Sequence, residues 1–346
     1  MKGQKQLFDF IKNTLNPEVS LATELEEALK ISLDSAYRRI RCETALTFDE
    51  ACIISSYFGV SLDEVVSLLN QHSKEDKSQL PTINFRFQKF TNDNFMPYLE
   101  FIYNEFKSSL DSVHRKMTLT CKDIPSFYFF LYPELMVFKA YFYGRIMWPN
   151  EDVDLASFDY KSFSRLLNSL DPNLQKIGSK IIGAYTDLPS SEIWGENTLD
   201  GHLSHILYAW KAGYFEDKEN ALLILNKTKQ LVDHIQLQAK KGYKFLEGTE
   251  EKSKKGEFEM YYSEGLQLEN TILTSWEDHI KTYMIYNTGD YLMTTNEHFS
   301  QRVETYITNM MKQTHFISKV GEQKRNLLFK KITDKIKVVE NRIHNS

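Results

Sequence analysis

Residues 25–41 of the chain read LEEALKISLDSAYRRIR and predict two short helices joined by a tight turn. Before the turn, Leu25 and Leu29 are four residues apart, which is the spacing of one helical face. After the break at Lys30, Ser32 is a favourable N-cap for a second helix. The stretch therefore predicts a helical domain built around this pair.

Further helix signals flank the pair on both sides. Residues 4–15 carry their apolar side chains on one stripe, as an amphipathic helix does. Residues 47–50 and 61–64 are capping boxes, in which a Thr or Ser caps a helix together with a Glu three residues later. The sequence therefore predicts a five-helix domain over residues 1–70.

The pattern resembles the helix-turn-helix domain of lambda-repressor and Cro-like regulators of the xenobiotic-response-element type. Besides residues 25–41, the resemblance rests on residues 58–65, FGVSLDEV, which are similar to the ending LGVSLDEL that is common in that family. Residues 34–43, DSAYRRIRCE, are similar to the third helix of BetR-type regulators. The resemblance covers about a fifth of the chain and implies a sequence-specific transcriptional regulator that binds double-stranded DNA.

In that family the third helix lies in the major groove. The resemblance therefore implies that the DNA-binding residues are Leu33, Asp34, Ser35, Tyr37, Arg38, Arg39 and Arg41. Arg38 would contact guanine with two hydrogen bonds, while Arg39 and Arg41 are better placed for phosphate. Tyr37 either packs beside Ile40 or reaches a phosphate. The alternative is that the three arginines form a solvated face that interacts favourably with the helix dipole.

The turn and the charge of this domain depart from a simple DNA-binding module. Lys30 occupies the turn where the family usually has Gly, at a cost of roughly 1 kcal/mol for a left-handed residue. Residues 1–78 hold nine Lys or Arg and thirteen Asp or Glu, a net charge of −4. We therefore expect a homodimer on two half-sites, and we keep a second hypothesis, a protein-interaction scaffold that uses this fold as a docking module.

The rest of the chain is predicted to be a linker followed by a mainly helical effector and dimerisation region. Residues 71–81 are polar and end in proline, which indicates the linker, and residues 82–346 resemble no family. Periodicity predicts helices at residues 97–114, 124–148 (broken or kinked at Pro133), 160–170, 173–185, 198–213, 218–242, 297–312 and 322–343. A short strand at 116–122, a loop at 194–197 and a small antiparallel sheet of three or four strands at about 257–295 are predicted as well.

Composition and cysteine use favour a cytoplasmic protein with no membrane segment. The chain has 14 Gly and 8 Pro in 346 residues, which favours helices over a turn-rich β architecture. The most apolar stretch, residues 127–148, is interrupted by charged residues, and the N-terminus lacks a signal-peptide pattern. The odd set of Cys42, Cys52 and Cys121 has no CxxC spacing, so we expect reduced thiols.

No motif predicts catalysis, a metal or a cofactor. The sequence contains no GxGxxG, P-loop, HExxH or GxSxG, so the chain is predicted not to be an enzyme. His202 and His205 could share a helix face as metal ligands, but no third ligand is evident and a structural role is favoured. The aromatic residues of 95–148 could frame a pocket for a small-molecule effector, although a plain core is favoured. Residues 312–346 carry a net charge of +6, and a helix that packs on its own domain is preferred to a partner helix, a dimer element or a second phosphate contact.

Overall fold

The computed structural model describes residues 2–15, 19–62, 65–66, 83, 85–89, 95–147, 157–249, 256–277, 279–287 and 289–345. Within these residues the protein is mainly helical and contains one mixed β-sheet. The chain divides into two compact units, unit 1 at Met1–Phe85 and unit 2 at Arg86–Ser346. Each unit has its own hydrophobic core.

Unit 1 contains four described helices: α1 (Lys2–Thr14), α2 (Leu21–Leu29), α3 (Leu33–Ile40) and α4 (Phe48–Phe58). They bury one core, made of Leu7, Phe8, Ile11, Leu25, Ala36, Ile54, Val60 and Val65. The predicted caps of α3 and α4 are confirmed, because Ser32 accepts from the backbone of Ser35 and Thr47 forms the capping box with Glu50.

The predicted five-helix domain is therefore confirmed in part. Leu62, Val65 and Val66 are helical, as the second capping box predicts. The remainder of the predicted fifth helix, and the predicted linker at 71–81, lie outside the described residues.

Unit 2 begins with a strand and contains most of the helices. Its described α-helices are α5 (Phe95–Leu110), α6 (Pro133–Phe142), α7 (Tyr160–Leu170), α8 (Leu174–Asp187), α9 (Asp200–Lys211), α10 (Lys218–Lys241), α11 (Glu297–Lys312) and α12 (Glu322–His344). A 3₁₀ helix at Ser126–Leu131 precedes α6 and a π-helical turn at Tyr143–Met147 follows it. Pro133 opens α6 at its first turn, where a missing backbone N–H costs nothing, and thus separates two helices instead of bending one.

The strands of unit 2 form a single sheet. They are β1 (Arg86–Gln88), β2 (Lys116–Cys121), β3 (Ser190–Gly195), β4 (Tyr243–Lys244), β5 (Gly256–Ser263), β6 (Thr271–Trp276), β7 (His279–Asn287), β8 (Asp290–Thr294) and β9 (His315–Phe316). Their order is β1-β8-β7-β6-β2-β3-β5-β4, and β9 also pairs with β5. β3 is parallel to both β2 and β5, whereas β6 is antiparallel to β2.

The prediction of a small antiparallel sheet of three or four strands at about 257–295 is therefore confirmed in part. Among the described residues, four strands occur there and β6, β7 and β8 are antiparallel neighbours, but all four belong to a nine-stranded mixed sheet in which β5 pairs in parallel with β3. β3 was missed, and residues 194–197, predicted as a loop, begin inside it. The reason is that β3, SSEIWG, is buried along almost its whole length and shows no alternation of polar and apolar residues.

α12 packs on its own unit, as the preferred interpretation of the basic tail states. Its buried stripe joins the main core of unit 2 through Leu328, Phe329, Ile332, Ile336, Val339 and Ile343. Beside this stripe, Lys331 contacts Glu196 at 2.5 Å and Lys335 contacts Asp200 at 2.8 Å. The positive charge of the tail is thus partly neutralised within unit 2.

Candidate functional site

The turn between α2 and α3 has the geometry of a glycine turn although it contains lysine. Lys30 has φ 53° and ψ 45°, and its backbone N–H donates to the carbonyl of Glu26. Ser32 then starts α3 by accepting a hydrogen bond from the backbone of Ser35 at 3.4 Å. The departure from the family pattern at Lys30 therefore leaves a left-handed turn between the two helices.

One face of α3 is exposed along its whole length. Leu33 is 40% exposed and Tyr37 is 44% exposed, and Asp34, Arg38 and Arg41 are exposed as well. These positions are separated by one, four, five and eight residues, so that they form one stripe on the helix. Ala36 and the core lie on the opposite side.

Arg39 has a different environment from Arg38. Its guanidinium forms an ion pair with Glu50 at 2.6 Å, and both side chains are less than a fifth exposed, at 16% and 18%. It also donates to the carbonyl of Ser35 at 3.2 Å. The hydrogen bond from Arg39 lowers the pKa of Glu50. Arg39 therefore joins α3 to the capping box of α4, and the same Glu50 carboxylate caps α4 through Thr47.

Gln4 of α1 holds the end of α3 in place. Its side-chain N–H donates to the carbonyls of Arg39 and Thr44, each at 2.8 Å. Its side-chain carbonyl accepts from the backbone N–H of Leu46 at 3.1 Å. Sequence reasoning missed this role, because the three partners of Gln4 lie 35, 40 and 42 residues away and no local pattern marks them. Arg41 beside this end pairs with Glu43 at 2.9 Å on the surface.

Unit 2 contains a cavity of about 490 Å³ next to the carboxyl end of β2. Asp123 follows β2 and Asn270 precedes β6, and the antiparallel pairing of those strands brings the two residues together. The backbone N–H of Asp123 donates to Oδ1 of Asn270 at 2.9 Å, and Nδ2 of Asn270 donates to Oδ2 of Asp123 at 2.8 Å. A Cβ at Gly201 on α9 would collide with the Asp123 carboxylate, so glycine allows this approach.

Lys139 of α6 and two histidines of α9 line this cavity. Lys139 is 7% exposed, and its Nζ lies 3.0 Å from Nδ1 of His205. Nζ also lies over the ring of Phe129, 4.7 Å from its centroid, and 5.5 Å from the ring centroid of Tyr143. We name this space the Lys139 cavity. The predicted pair of His202 and His205 therefore shares a face, as its spacing indicates, but the face meets a lysine.

The electrostatics of the Lys139 cavity follow from burial. Burial lowers the pKa of Lys139 to about 7, and the Asp123 carboxylate opposes this shift. Burial and the nearby Lys139 charge lower the pKa of His205 to about 3 and that of His202 well below its usual range. Both imidazoles are therefore neutral at pH 7, and the charge on Lys139 is the one that titrates near neutrality.

Among the described residues, eight Phe and Tyr rings line the Lys139 cavity. The rings that line it belong to Phe95, Tyr98, Phe127, Phe129, Phe130, Tyr143, Tyr286 and Tyr291. Several of these rings also contribute to the main core of unit 2. The expectation of a plain core in residues 95–148 is thus too simple, because part of this aromatic cluster encloses space of the size of small-molecule pockets, roughly 300–1,000 Å³.

A second buried ionic cluster is centred on Glu192 of β3. Glu192 is fully buried and accepts hydrogen bonds from Tyr128, Tyr185 and Trp194, at 2.8 Å from Tyr128 and 2.7 Å from Trp194. Lys244 is 1% exposed, lies 3.6 Å from the ring centroid of Tyr185 and donates to Ser190 at 3.0 Å. We name Glu192, Lys244, Tyr128, Tyr185, Trp194 and Ser190 together the Glu192 cluster.

Burial shifts both charged groups of the Glu192 cluster toward neutrality. It raises the pKa of Glu192 to about 7 and lowers that of Lys244 to about 7, and each charge opposes the shift of the other. All three donors of Glu192 are themselves buried. The cluster is therefore an internal network of buried side chains.

Neither a metal-binding cluster nor a membrane-spanning helix occurs among the described residues. No three or more His, Cys, Asp or Glu side chains of that part of the chain come together in a way that could hold a metal ion. Within the same ranges, no helix has both the length and the apolar character needed to cross a membrane.

Comparison of the chain with models of known protein families, with curated proteins and with solved structures finds no match.

Proposed function

We propose that this chain is a sequence-specific DNA-binding transcriptional regulator, in which unit 1 contacts DNA and unit 2 dimerises and receives a ligand or protein signal. The observation that carries the proposal is the exposed stripe of α3, which presents Leu33, Asp34, Tyr37, Arg38 and Arg41 beyond a tight turn. A short helix displayed in this way matches the groove-reading helix of helix-turn-helix proteins in its length, cap and turn.

The residues of the stripe have different roles in the proposal. Arg38 has no ion pair among the described residues and contacts guanine through two hydrogen bonds. Leu33 and Asp34, at the start of the helix, face base edges. Arg41 contacts a backbone phosphate and exchanges its surface partner Glu43 for it. Arg39 is a positioning residue, since its guanidinium is held by Glu50.

Dimerisation completes the proposal. The net charge of −4 over residues 1–78 leaves a single unit 1 few favourable phosphate contacts. Two copies bound one helical turn apart, roughly 34 Å, double the base contacts and the phosphate contacts. We therefore expect an operator with two-fold symmetry.

The test is selection of duplexes from a random DNA pool by the full-length protein at a stated salt concentration. Enrichment of a two-fold-symmetric motif is expected. Arg38→Ala should blur the preference at one base pair per half-site and cost about 1–3 kcal/mol in affinity, and Arg41→Ala should weaken all duplexes alike. Lys12→Ala is the matched control, because it removes one positive charge from an exposed position of α1 and should leave the motif unchanged.

One observation favours a second function, docking to another protein. Unit 1 exposes five large apolar side chains on α3 and α4, namely Leu33, Tyr37, Phe48, Ile53 and Tyr57, of which Phe48 is 78% exposed. Such residues are typical of protein interfaces. If no motif is enriched at moderate salt and Arg38→Ala changes binding to no duplex, the regulator proposal fails and the scaffold function replaces it.

A further inference from the structure

The Lys139 cavity holds a positive charge that the surrounding protein does not neutralise. Among the described residues no carboxylate lies within ion-pair distance of Lys139, and its hydrogen-bond partner is the neutral His205. The Asp123 carboxylate acts on Lys139 only at longer range. A buried ammonium without a counter-ion is costly, so an anion that enters this cavity gains an unusually strong partner.

His202 provides a second, independent observation. Its Nε2 lies 2.8 Å from the hydroxyl of Thr228, and that hydroxyl donates to the carbonyl of Ile224 at 2.8 Å. The hydroxyl therefore accepts from Nε2, which leaves Nδ1 as an acceptor. Nδ1 is fully buried and has no hydrogen-bond partner in the described part of the chain. A hydrogen-bond donor brought by a ligand would satisfy it.

The mouth and the walls of the cavity set the remaining chemical requirements for a ligand. Asp123, at the mouth, is exposed and is a further acceptor, while the aromatic rings of the walls select an apolar body. The cavity therefore combines one deep cationic donor, one deep neutral acceptor, one outer acceptor and an apolar enclosure.

We propose that the Lys139 cavity binds a small organic acid with an aromatic or similar apolar body and an amino or hydroxyl group beside its carboxylate. The carboxylate pairs with Lys139. The adjacent amino or hydroxyl group donates to Nδ1 of His202, and an amino group is also favoured by Asp123. The apolar body fills the space between the rings. The role of such a ligand as an effector rests on the proposed regulator function, whereas its binding to unit 2 does not.

The experiment is calorimetric titration of the full-length protein with four probes that share one phenylpropanoic skeleton. The probes are 3-phenylpropionamide, 3-phenylpropionate, phenyllactate and phenylalanine. The carboxylate should bind at least about tenfold more tightly than the amide, and one of the two substituted acids should bind more tightly than 3-phenylpropionate. Equal affinity of amide and carboxylate, or no binding of any probe at about 10 mM, would overturn the proposal.

Two variants separate the proposed contact from a merely structural role. Lys139→Met keeps most of the length of the side chain, removes its charge and should abolish the preference for carboxylate over amide. Lys180→Met is the matched control, because Lys180 also lies over an aromatic ring, 5.3 Å from the centroid of Tyr103, but does not line the cavity. A preference that survives Lys139→Met, or that is lost equally in Lys180→Met, would contradict the assignment.

Wild-type protein alone provides a readout that does not depend on the folding of any variant. Titrations at about pH 8 in buffers of different ionisation enthalpy measure the protons taken up on binding. The groups that face Lys139 are His202 and His205 of α9, Tyr143 of the π-helical turn and Asp123 after β2. Both imidazoles stay neutral at this pH because their pKa values are lowered, and burial raises the pKa of Tyr143, so that the proton is taken up by Lys139.

The result follows from the charge of the probe. When a carboxylate probe binds, the protein should take up a fraction of a proton. When the amide binds, it should take up none. Uptake that is the same for the amide and the acids would overturn the proposal. Carboxylate binding together with no selection of DNA would keep the cavity assignment and remove only the effector role, so the two failures are distinguishable.

Discussion

Lys139 and Lys244 are two buried lysines of unit 2 that differ in what surrounds their charge. Burial lowers the pKa of each to about 7. Lys244 shares its surroundings with the Glu192 carboxylate, which three buried donors hold. Lys139 faces a cavity and a neutral imidazole.

The difference shows that a buried charge alone does not mark a functional site. In the Glu192 cluster, Glu192 and Lys244 act on each other's charge inside a buried hydrogen-bond network that joins β3 to the end of α8 and to β4. In the Lys139 cavity, the Asp123 carboxylate opposes the shift of Lys139 in the same way, but the adjacent space is large enough for a ligand. The partners of a buried lysine and the space beside it, and not its burial or its pKa, separate the two cases.

The comparison predicts its largest effect at Glu192. Glu192→Met removes the acceptor of Tyr128, Tyr185 and Trp194 and leaves the Lys244 charge without its partner, so we expect a loss of about 4 kcal/mol in the free energy of unfolding. Urea denaturation followed by tryptophan fluorescence measures it, since all four tryptophans of the chain lie in unit 2. A loss below about 1 kcal/mol would show that the cluster is not a coupled network.

A somewhat smaller loss is expected for Lys244→Met. The Glu192 carboxylate keeps its three hydrogen bonds but loses the opposing charge, and we expect unfolding to become easier by about 3 kcal/mol. The same denaturation experiment applies, with Lys180→Met as an exposed control. An unchanged urea midpoint would show that Lys244, like Lys139, can be replaced without loss of stability, and would contradict the distinction between the two lysines.

The pH dependence of stability sharpens the comparison further. The pKa of Lys139 is about 7 in the folded chain, against an ordinary value of 10.5, so between these values the unfolded chain binds a proton that the folded chain does not. Stability therefore rises with pH across this window, by up to about 1.4 kcal/mol per pH unit for one proton. Lys139→Met should remove this contribution in urea titrations from about pH 7.5 to about pH 9.5, while that of Lys244 remains. An unchanged slope would mean that Lys139 does not titrate in this range.

The smallest effect is expected for Lys139→Met at pH 7. The substitution removes a buried charge that has no carboxylate partner among the described residues and replaces it with an apolar chain of similar length. We expect no loss in the free energy of unfolding, because relief of the burial cost of the ammonium offsets the lost contacts, in contrast to Lys244→Met. A loss of about 3 kcal/mol would show that Lys139 has a structural role that its contacts do not reveal.

Local signals predicted the parts of the fold that depend on neighbours in sequence. The caps at Ser32 and Thr47 and the left-handed residue at Lys30 lie within a few residues of the helices that they begin or end. Most helix bounds of unit 2 were predicted for the same reason. Helix α7, for example, occupies the predicted residues 160–170. Capping and periodicity are properties of short stretches, and the sequence displays them directly.

The centre of the sheet and the Lys139 cavity depend on pairings that no short stretch displays. β3 pairs in parallel with β2 and β5, and its polar start is buried by partners far along the chain. Lys139 and His205 are 66 residues apart, and Lys139 interrupted an apolar helix without any local sign of its partner. The spacing of His202 and His205 was evident from the sequence, but the contact of Lys139 with His205 was not.

The order of the strands has a consequence for synthesis on the ribosome. Lys116 of β2 pairs with Ser275 of β6, which is 159 residues later in the chain. At roughly 5–20 residues per second, β2 waits about 10–30 s for this neighbour after it has been made. The helices of unit 1 wait less, because the contacts described for them fall within residues 2–66. A ribosome that stalls before β6 would therefore hold a finished helical N-terminal unit followed by an exposed strand edge, and this is the stage at which the nascent chain is most exposed to aggregation.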